Sequence, residues 1–296
     1  MENRTLTAFC KQSDMARQEE LTAWILQNAT RFDLRVQELL WIKAIFPGWR
    51  DLRVSISIFG EKFVGRGSDP VANTALAKAV CEAVERATCF RHGIGSLGVA
   101  GHINMELAQE NARLEYVERF CFSDQVSRGI ALNPLSIDPA VGARYARLGV
   151  EIGLYRLASP SGVSVALCLA NGKNAEPAFG GILGLGAASS IEAAQDKARL
   201  ECLRNLEFCL HTKPASISRE AFLKIERPTS QNRQALLRDT SYFQEFVASL
   251  NRTASDVVIP DGKFDRLQTD DAFGDCPLVF SRYSSEAVFS QPEFLA

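Results

Sequence analysis

One short motif appears twice in the sequence, as Glu82-Ala-Val-Glu85-Arg86 and as Glu115-Tyr-Val-Glu118-Arg119. On a helix, side chains three positions apart lie one turn apart on the same face, so each motif predicts a pair of neighbouring carboxylates. Two such pairs brought together would place four negative charges in a small space, where they would need cations. Hard, oxygen-seeking ions such as Mg²⁺ are the natural occupants. The repeated motif therefore predicts two acidic helices that together hold metal ions.

The composition is that of a globular protein and excludes several classes of function. The chain has 296 residues, of which 46% are hydrophobic and 23% charged, enough for one large domain. A net charge of −2 gives no general attraction to nucleic acid or to an anionic membrane. No run is long enough to span a membrane, and the N-terminus lacks the pattern of a signal peptide. The eight cysteines form no Cys-x-x-Cys motif, which favours reduced thiols in a cytoplasmic protein.

The residue pattern in the first half of the sequence predicts an N-terminal helical segment, a strand and two long helices. Residues 1–48 form the helical segment, with an amphipathic pattern in 13–46 that Pro47-Gly48 ends. Alternation over 53–59 predicts a strand with one buried face. After Gly65-Arg-Gly67, Asp69 is a good N-cap for a helix that runs to about Phe90. A glycine-rich strand follows, and Asn104 can cap a second helix at roughly 105–122.

The second half of the chain repeats this order of elements. A hairpin over 150–170 leads to the glycine-rich stretch 179–187. Ser189-Ser-Ile-Glu192 predicts a capping box that opens a third long helix, through about Leu210. The variable C-terminal part, 215–296, has expected helices at 220–225 and 231–250 and short strands at 257–259 and 278–280. We predict one α+β domain over 1–296, with its core at about 50–250 and mixed sheets packed against long Glu-bearing helices.

The environment of the first motif decides whether it is a site or a surface feature. Glu82 and Glu85 fall opposite the apolar stripe of their helix, and between 71 and 84 the only charges are Lys78 and Glu82. So little charge indicates a helix covered on most sides, where a carboxylate needs a partner. The alternative is that each Glu and the Arg four positions later form a surface salt bridge, worth about 0.2–0.5 kcal/mol. The glycine pairs at 65 and 67 and at 184 and 186 either cradle phosphate or form tight turns.

The order of these motifs resembles that of the YcaO superfamily. The run Gly65-Arg-Gly67, the helix bearing the first motif, Gly98-Val-Ala-Gly101 and the helix bearing the second motif stand in that family's order. The hairpin, Gly184-Leu-Gly186-Ala and the third helix then follow. The resemblance covers about residues 50–250 and identifies the chain as a short, diverged member.

The resemblance implies a YcaO-like ATP-binding fold in which helix carboxylates hold Mg²⁺ ions that bridge the triphosphate. The metal ligands that it implies are Glu82, Glu85, Glu115, Glu118 and Glu201. The ATP-binding residues that it implies are these five together with Lys78, Arg119 and Asn205. It identifies no catalytic residue.

The activity that the resemblance implies is ATP-dependent cyclodehydration of a ribosomally synthesised precursor peptide, as in bacteriocin biosynthesis. A Cys, Ser or Thr side chain attacks the preceding amide, ATP phosphorylates the oxyanion, and loss of phosphate leaves a thiazoline or oxazoline. The alternatives are thioamide or amidine formation, or a scaffold subunit that has lost turnover. A separate partner protein is expected to deliver the peptide, and a homodimer stays an open alternative.

The chain departs from the family's pattern at four positions. Lys78 stands where Ser is usual, and it could pair with a phosphate or fill the site. Leu97 replaces an Asn, Leu107 replaces a Glu, and Asn205 replaces a Gln. Lys78, Leu97 and Leu107 favour the scaffold alternative, whereas the acidic set disfavours it.

Overall fold

The computed structural model describes residues 19–226, 229–251, 257, 259 and 261–286. The chain divides into two compact units. The first unit comprises Met1–Arg113 and Gly262–Ser284, and the second comprises Leu114–Asp261 and Ser285–Ala296.

The first unit contains an antiparallel sheet with the strand order β1-β2-β3. Its strands are β1 (Arg35–Glu38), β2 (Arg50–Ile58) and β3 (Glu61–Asp69). A two-residue turn at Phe59 and Gly60, both with positive φ, joins β2 to β3 and matches the twist of a hairpin. The strand predicted over 53–59 is confirmed, because its alternate residues Val54 and Ile56 are buried.

Helix α2 (Ala72–Arg91) packs directly on β3. The glycines of β3 allow this close approach, since a Cβ added to Gly67 would lie 2.0 Å from the carbonyl oxygen of Ala75. The helix is confirmed, but its predicted N-cap is wrong. Val71 is the N-cap, and Asp69 ends β3 while its carboxylate accepts a hydrogen bond from the Val71 N–H at 2.9 Å.

The N-terminal segment 1–48 is not helical throughout, contrary to our prediction. Helix α1 covers the helical residues 19–28, strand β1 follows, and Trp41–Ala44 is a short 3₁₀ turn. Asp33 has φ = 43°, a left-handed conformation that a right-handed helix cannot accommodate. Beyond it, pairing with β2 determines the backbone of β1. The predicted helical residues 1–18 lie outside the described part of the chain.

A second sheet of the first unit has the order β4-β10-β9. Its strands are β4 (Val99–His102), β9 (Gly262–Leu267) and β10 (Val279–Ser285). The strand predicted at 278–280 corresponds to the start of β10, whereas β9 was not predicted. Phe273 and Phe280 are fully buried in the core of this unit, and the Trp24 indole N–H donates to the Phe273 carbonyl oxygen at 3.1 Å.

The second unit contains an antiparallel sheet with the order β5-β6-β7-β8. Its strands are β5 (Asn133–Leu135), β6 (Glu151–Leu157), β7 (Ser164–Asn171) and β8 (Gly181–Ala188). Helix α5 (Ile191–Thr212) covers one face of this sheet, against β8 and β7. The predicted capping box is wrong by one position. Ser190 is the N-cap and accepts from the Ala193 N–H, which leaves Glu192 one residue too early to complete a box.

The other face of this sheet packs against a large apolar core. Helices contribute to that core from α3 (Met105–Ser127), α6 (Arg219–Leu223), α7 (Ser230–Leu237) and α8 (Thr240–Ser249), while α4 (Pro139–Ala146) packs beside β6. Asn104 accepts from the Glu106 N–H at the start of α3, as predicted. The single helix predicted at 231–250 is in fact two, because Asp239 caps α8.

These elements confirm the predicted α+β fold with long helices packed on sheets, and every strand pair with a described register is antiparallel, not mixed as predicted. The strand predicted at 257–259 lies largely outside the described residues. Seven cysteines of the described chain are free thiols, as predicted, and Cys10 lies outside it. Among the described helices, none combines the length and the apolar character needed to cross a membrane.

Candidate functional site

Glu82 reaches from α2 to the strand on which the helix packs. Its Oε2 accepts a hydrogen bond from the backbone N–H of Arg66 at 2.6 Å, and its Oε1 pairs with Arg86 at 2.6 Å. β3 is an edge strand of its sheet, and this N–H points away from β2, so no neighbouring strand can accept a hydrogen bond from it. The carboxylate satisfies it instead. The surface salt bridge that the sequence offered as an alternative is therefore present, together with a second, backbone partner.

The other predicted residues of α2 also have partners within the first unit. Glu85 accepts a hydrogen bond from the Gly101 N–H of β4 at 3.1 Å. The Lys78 ammonium pairs with Asp69 at 2.7 Å and also lies 3.4 Å from the Ser68 carbonyl oxygen. Lys78 is thus directed toward the end of β3.

In the second unit, α5 uses Glu201 in the same way as α2 uses Glu82. Oε2 of Glu201 accepts a hydrogen bond from the Leu185 N–H at 2.8 Å, on the last strand of that sheet. Its Oε1 lies 3.9 Å from Nη2 of Arg119 on α3. Asn205, one turn further along α5, is half-buried.

The second motif contributes a compact charged cluster with Glu201. The Arg119 side chain lies between Glu118 and Glu201, and its Nε is 3.5 Å from Oε1 of Glu118. Only 14% of the Arg119 side chain is exposed. Burial raises the pKa of Glu118 to about 7, with the Glu201 charge adding to the effect against the attraction of Arg119. Burial opposes the charge on Arg119, but the carboxylates of Glu118, Glu201 and Glu115 outweigh it and raise the Arg119 pKa. The carboxyl groups of Glu118 and Glu201 thus share one guanidinium group.

The predicted set is divided between the two units. Lys78, Glu82 and Glu85 lie on α2 in the first unit, whereas Glu115, Glu118, Arg119, Glu201 and Asn205 lie on α3 and α5 in the second. The four-carboxylate cluster formed from both motifs stays a prediction.

Three residues that take part in these contacts were missed from the sequence. Arg66 supplies the backbone donor to Glu82, and Asp51 binds the Arg66 side chain. Lys197 lies one turn before Glu201, as Lys78 does before Glu82, and donates to the Ala187 carbonyl oxygen at 3.0 Å. The shared spacing Lys-x-x-x-Glu was the only sequence signal for Lys197.

The carboxylates of the candidate site are of the chemical kind that binds Mg²⁺. In the part of the chain that the structure describes, no three His, Cys, Asp or Glu side chains form a complete metal-ligand group. Mg²⁺ does not need one, because it commonly binds through one or two carboxylates together with waters and substrate phosphates. Glu118 and Glu201 offer carboxylate oxygens of the required kind.

Several solved structures have a fold similar to that of this chain. A YcaO protein from Methanopyrus kandleri, bound with AMPPCP and Mg²⁺, has a TM-score of 0.60 and 14% sequence identity, over 90% of each chain. A heterocyclase in complex with substrate and cofactor has a TM-score of 0.56 and 11% identity. It matches 87% of this chain, which spans only 51% of the heterocyclase's length. At these identities the likeness concerns the fold alone. A comparison with curated proteins found no match.

A match to a protein-family model identifies the family, which the structural likeness alone does not. The model of the YcaO cyclodehydratases, described as binding ATP and Mg²⁺, matches residues 92–276, which is more than half of the chain. The expectation of ATP and Mg²⁺ as cofactors, drawn from the order of the motifs, agrees with that description. Because the family match and the fold coincide, this chain belongs to the YcaO family, a family of ATP-dependent enzymes.

Proposed function

We propose that this chain uses ATP and Mg²⁺ to modify a ribosomally synthesised precursor peptide, forming thiazoline or oxazoline rings from Cys, Ser or Thr. The observation that carries the proposal is the cluster of Glu118, Arg119 and Glu201, in which two carboxylates share one arginine. Membership of an ATP- and Mg²⁺-binding family supports it. The proposed setting is the cytoplasm, with a separate partner protein that delivers the peptide.

The proposed metal ligands are Glu82, Glu85, Glu115, Glu118 and Glu201, and the proposed phosphate-side residues are Lys78, Arg119 and Asn205. When bound, Mg·ATP supplies the phosphoryl group that activates a backbone amide. The protein's part in such a transfer is positioning and neutralisation of charge. Backbone N–H groups hold one oxygen each of Glu82 and Glu201, which orients these carboxylates before any ligand arrives.

Calorimetric titration of Mg·ATP tests the site. Glu201→Gln keeps the size of the side chain but removes its charge, so we expect binding to weaken at least tenfold, in line with the loss of a metal ligand. Glu192→Gln is the matched control, because Glu192 is exposed on the same helix and outside the set. Equal affinity of Glu201→Gln and the wild-type chain would contradict the site assignment.

Mass spectrometry of the precursor peptide tests the reaction. In the presence of its partner protein and Mg·ATP, azoline formation removes one water for each ring. Replacement of an amide oxygen by sulfur would instead indicate thioamide formation. A chain that binds Mg·ATP and leaves the peptide unchanged would favour the scaffold alternative.

A further inference from the structure

The chain contains the same strand–strand–helix module twice, as β2–β3–α2 and as β7–β8–α5. Counterparts in the two modules are separated by the same number of sequence positions throughout β3–α2 and β8–α5. They include the pairs Gly65 and Gly184, Gly67 and Gly186, Ala75 and Ala194, Lys78 and Lys197, Ala79 and Ala198, and Glu82 and Glu201. The match therefore includes the charged residues as well as the small ones.

The two modules also share their contacts. A Cβ added to Gly65 or to Gly184 would meet the carbonyl oxygen of the corresponding helix alanine, at 2.0 Å in the first module and 2.3 Å in the second. In each, the Lys one turn before the Glu lies near a carbonyl oxygen of the strand, and the Glu accepts from the N–H between the two glycines. The second module is thus an internal control for the first.

The modules differ on the sheet face that points away from the helix. Gly65 and Gly67 face α2, so Arg66 and Ser68 face the other way, and Asp51 lies directly opposite Ser68 on β2. In the second module, Leu185, Ala187 and Val165 occupy the corresponding positions and belong to the apolar core. Asp51, Arg66 and Ser68 are therefore polar or charged at positions where the second module has apolar side chains.

The polar set forms a tight network around a fully buried carboxylate. Asp51 has no exposed surface. Nε of Arg66 donates to both of its oxygens, at 3.0 and 3.1 Å, and Nη2 donates to Oδ2. The Ser68 hydroxyl donates to Oδ1 at 2.8 Å. Only 16% of the Arg66 side chain is exposed.

A buried ion pair of this kind adds little to stability compared with apolar residues of similar volume, because both charges lose their hydration. The second module shows that the architecture forms without one. We propose that Asp51, Arg66 and Ser68 are positioning residues for Glu82. Asp51 holds the Arg66 side chain on one face of β3, and this fixes the Arg66 N–H that orients the Glu82 carboxylate at the strand edge. In the second module, core packing of Leu185 does the same for Glu201.

This inference rests on the proposed role of Glu82 as a ligand, but its first test needs no ligand. In Asp51→Asn, which keeps the size and one acceptor but loses the charge, the Arg66 amide should exchange its hydrogen about tenfold faster, because the strand edge opens more often. Hydrogen exchange followed by NMR measures this in the full chain. Ile56→Val is the matched control, since it removes a buried methyl group from the same strand on the opposite face, and it should leave the Arg66 amide unchanged.

The second readout is the Mg²⁺ concentration needed for half-maximal ATP binding. We expect about a tenfold increase in Asp51→Asn and none in Ile56→Val, as for other partners that orient a metal ligand. Ser68→Ala, which removes one hydrogen bond from Asp51, should give a smaller change than Asp51→Asn in both measurements.

The outcomes separate the two proposals. Unchanged exchange at Arg66 in Asp51→Asn and in Ser68→Ala would overturn the positioning role, whatever the affinity for ATP. Faster exchange in a chain whose wild type binds no Mg·ATP would support the positioning of Glu82 and remove the proposed function. If Asp51→Asn does not fold, the network is required for the fold, and the proposal is overturned.

Discussion

At the scale of single residues, burial changes the pKa of a carboxyl group in the candidate site, and this makes the stability of the fold depend on pH. Glu118 is nearly buried, and burial together with the Glu201 charge raises its pKa from the usual 4.5 to about 7. The folded chain therefore holds a proton on this carboxyl at pH values where the unfolded chain has lost it. Any cation that binds beside Glu118 will favour the ionised form and displace that proton.

The pH dependence of stability tests this assignment. Between about pH 4.5 and pH 7 the folded state binds more protons than the unfolded state, so the free energy of unfolding should fall as the pH rises, by at most about 1.4 kcal/mol per pH unit. In Glu118→Gln this fall should be absent, which leaves the variant more stable than wild type at pH 8 without Mg²⁺. Urea denaturation at a series of pH values measures the difference. Identical pH profiles would show that Glu118 titrates normally.

Another buried carboxylate, Glu207 on α5, joins this helix to α4. The Tyr145 hydroxyl donates to Glu207 at 2.6 Å, Tyr145 is fully buried, and Glu207 is 4% exposed. Tyr145→Phe removes this donor from a buried charge, so we expect a loss of about 1–3 kcal/mol in the free energy of unfolding. Tyr155→Phe is the control, because its hydroxyl has no hydrogen bond among the described residues. A similar loss in both variants would contradict the importance of the Glu207 contact.

At the scale of elements, close contact between a glycine-bearing strand and a helix of small residues decides where the acidic residues lie. Ala75 and Ala79 of α2 approach the backbone of β3, as Ala194 and Ala198 of α5 approach β8. The carboxylate one turn further along each helix then reaches the strand edge. The geometry of the candidate ligands is thus a consequence of backbone-to-backbone packing.

Gly186→Ala tests this packing. An added Cβ would lie 2.2 Å from the Ala194 carbonyl oxygen, so the helix must move away from the strand. We expect the free energy of unfolding to fall by about 1–3 kcal/mol, which is the usual result of overpacking. Gly95→Ala is the control, because nothing lies within 4 Å of its added Cβ. Urea denaturation that shows equal stability for both variants would contradict the close approach.

At the scale of the whole molecule, ligand binding should be visible as stability. A ligand that binds only the folded chain, at about a hundred times its Kd, raises the free energy of unfolding by about 2.7 kcal/mol. We therefore expect Mg·ATP to raise the melting temperature, and removal of Mg²⁺ by a chelator to abolish the increase. Glu201→Gln, whose binding we expect to be at least tenfold weaker, should lose about half of the increase or more, whereas Glu192→Gln should keep it. An increase that persists with the chelator would mean that the nucleotide binds without Mg²⁺, which would contradict the proposed metal site.

Much of the fold could be predicted because its signals are local. The apolar stripe of α2 and the capping residues before α3 and α5 indicated these helices, while alternation indicated β2 and a hairpin signal indicated β6 and β7. The order of glycine-rich stretches and acidic helices was sufficient for the family, and the predicted α+β class is confirmed. Where a signal was non-local, the prediction failed. Residues 35–38 were predicted as helix, but their pairing with β2 makes them a strand.

By itself, the sequence determined which carboxylates stand on which helices, because helical periodicity needs only neighbouring residues. The tertiary structure alone decided what holds them. The partners of Glu82, Glu85 and Glu201 are backbone N–H groups on strands sixteen positions away in sequence, and every residue except proline carries that donor. The network of Asp51, Arg66 and Ser68 depends on the register between β2 and β3. Register and close approach arise from contacts between distant segments, and therefore only the folded chain specifies them.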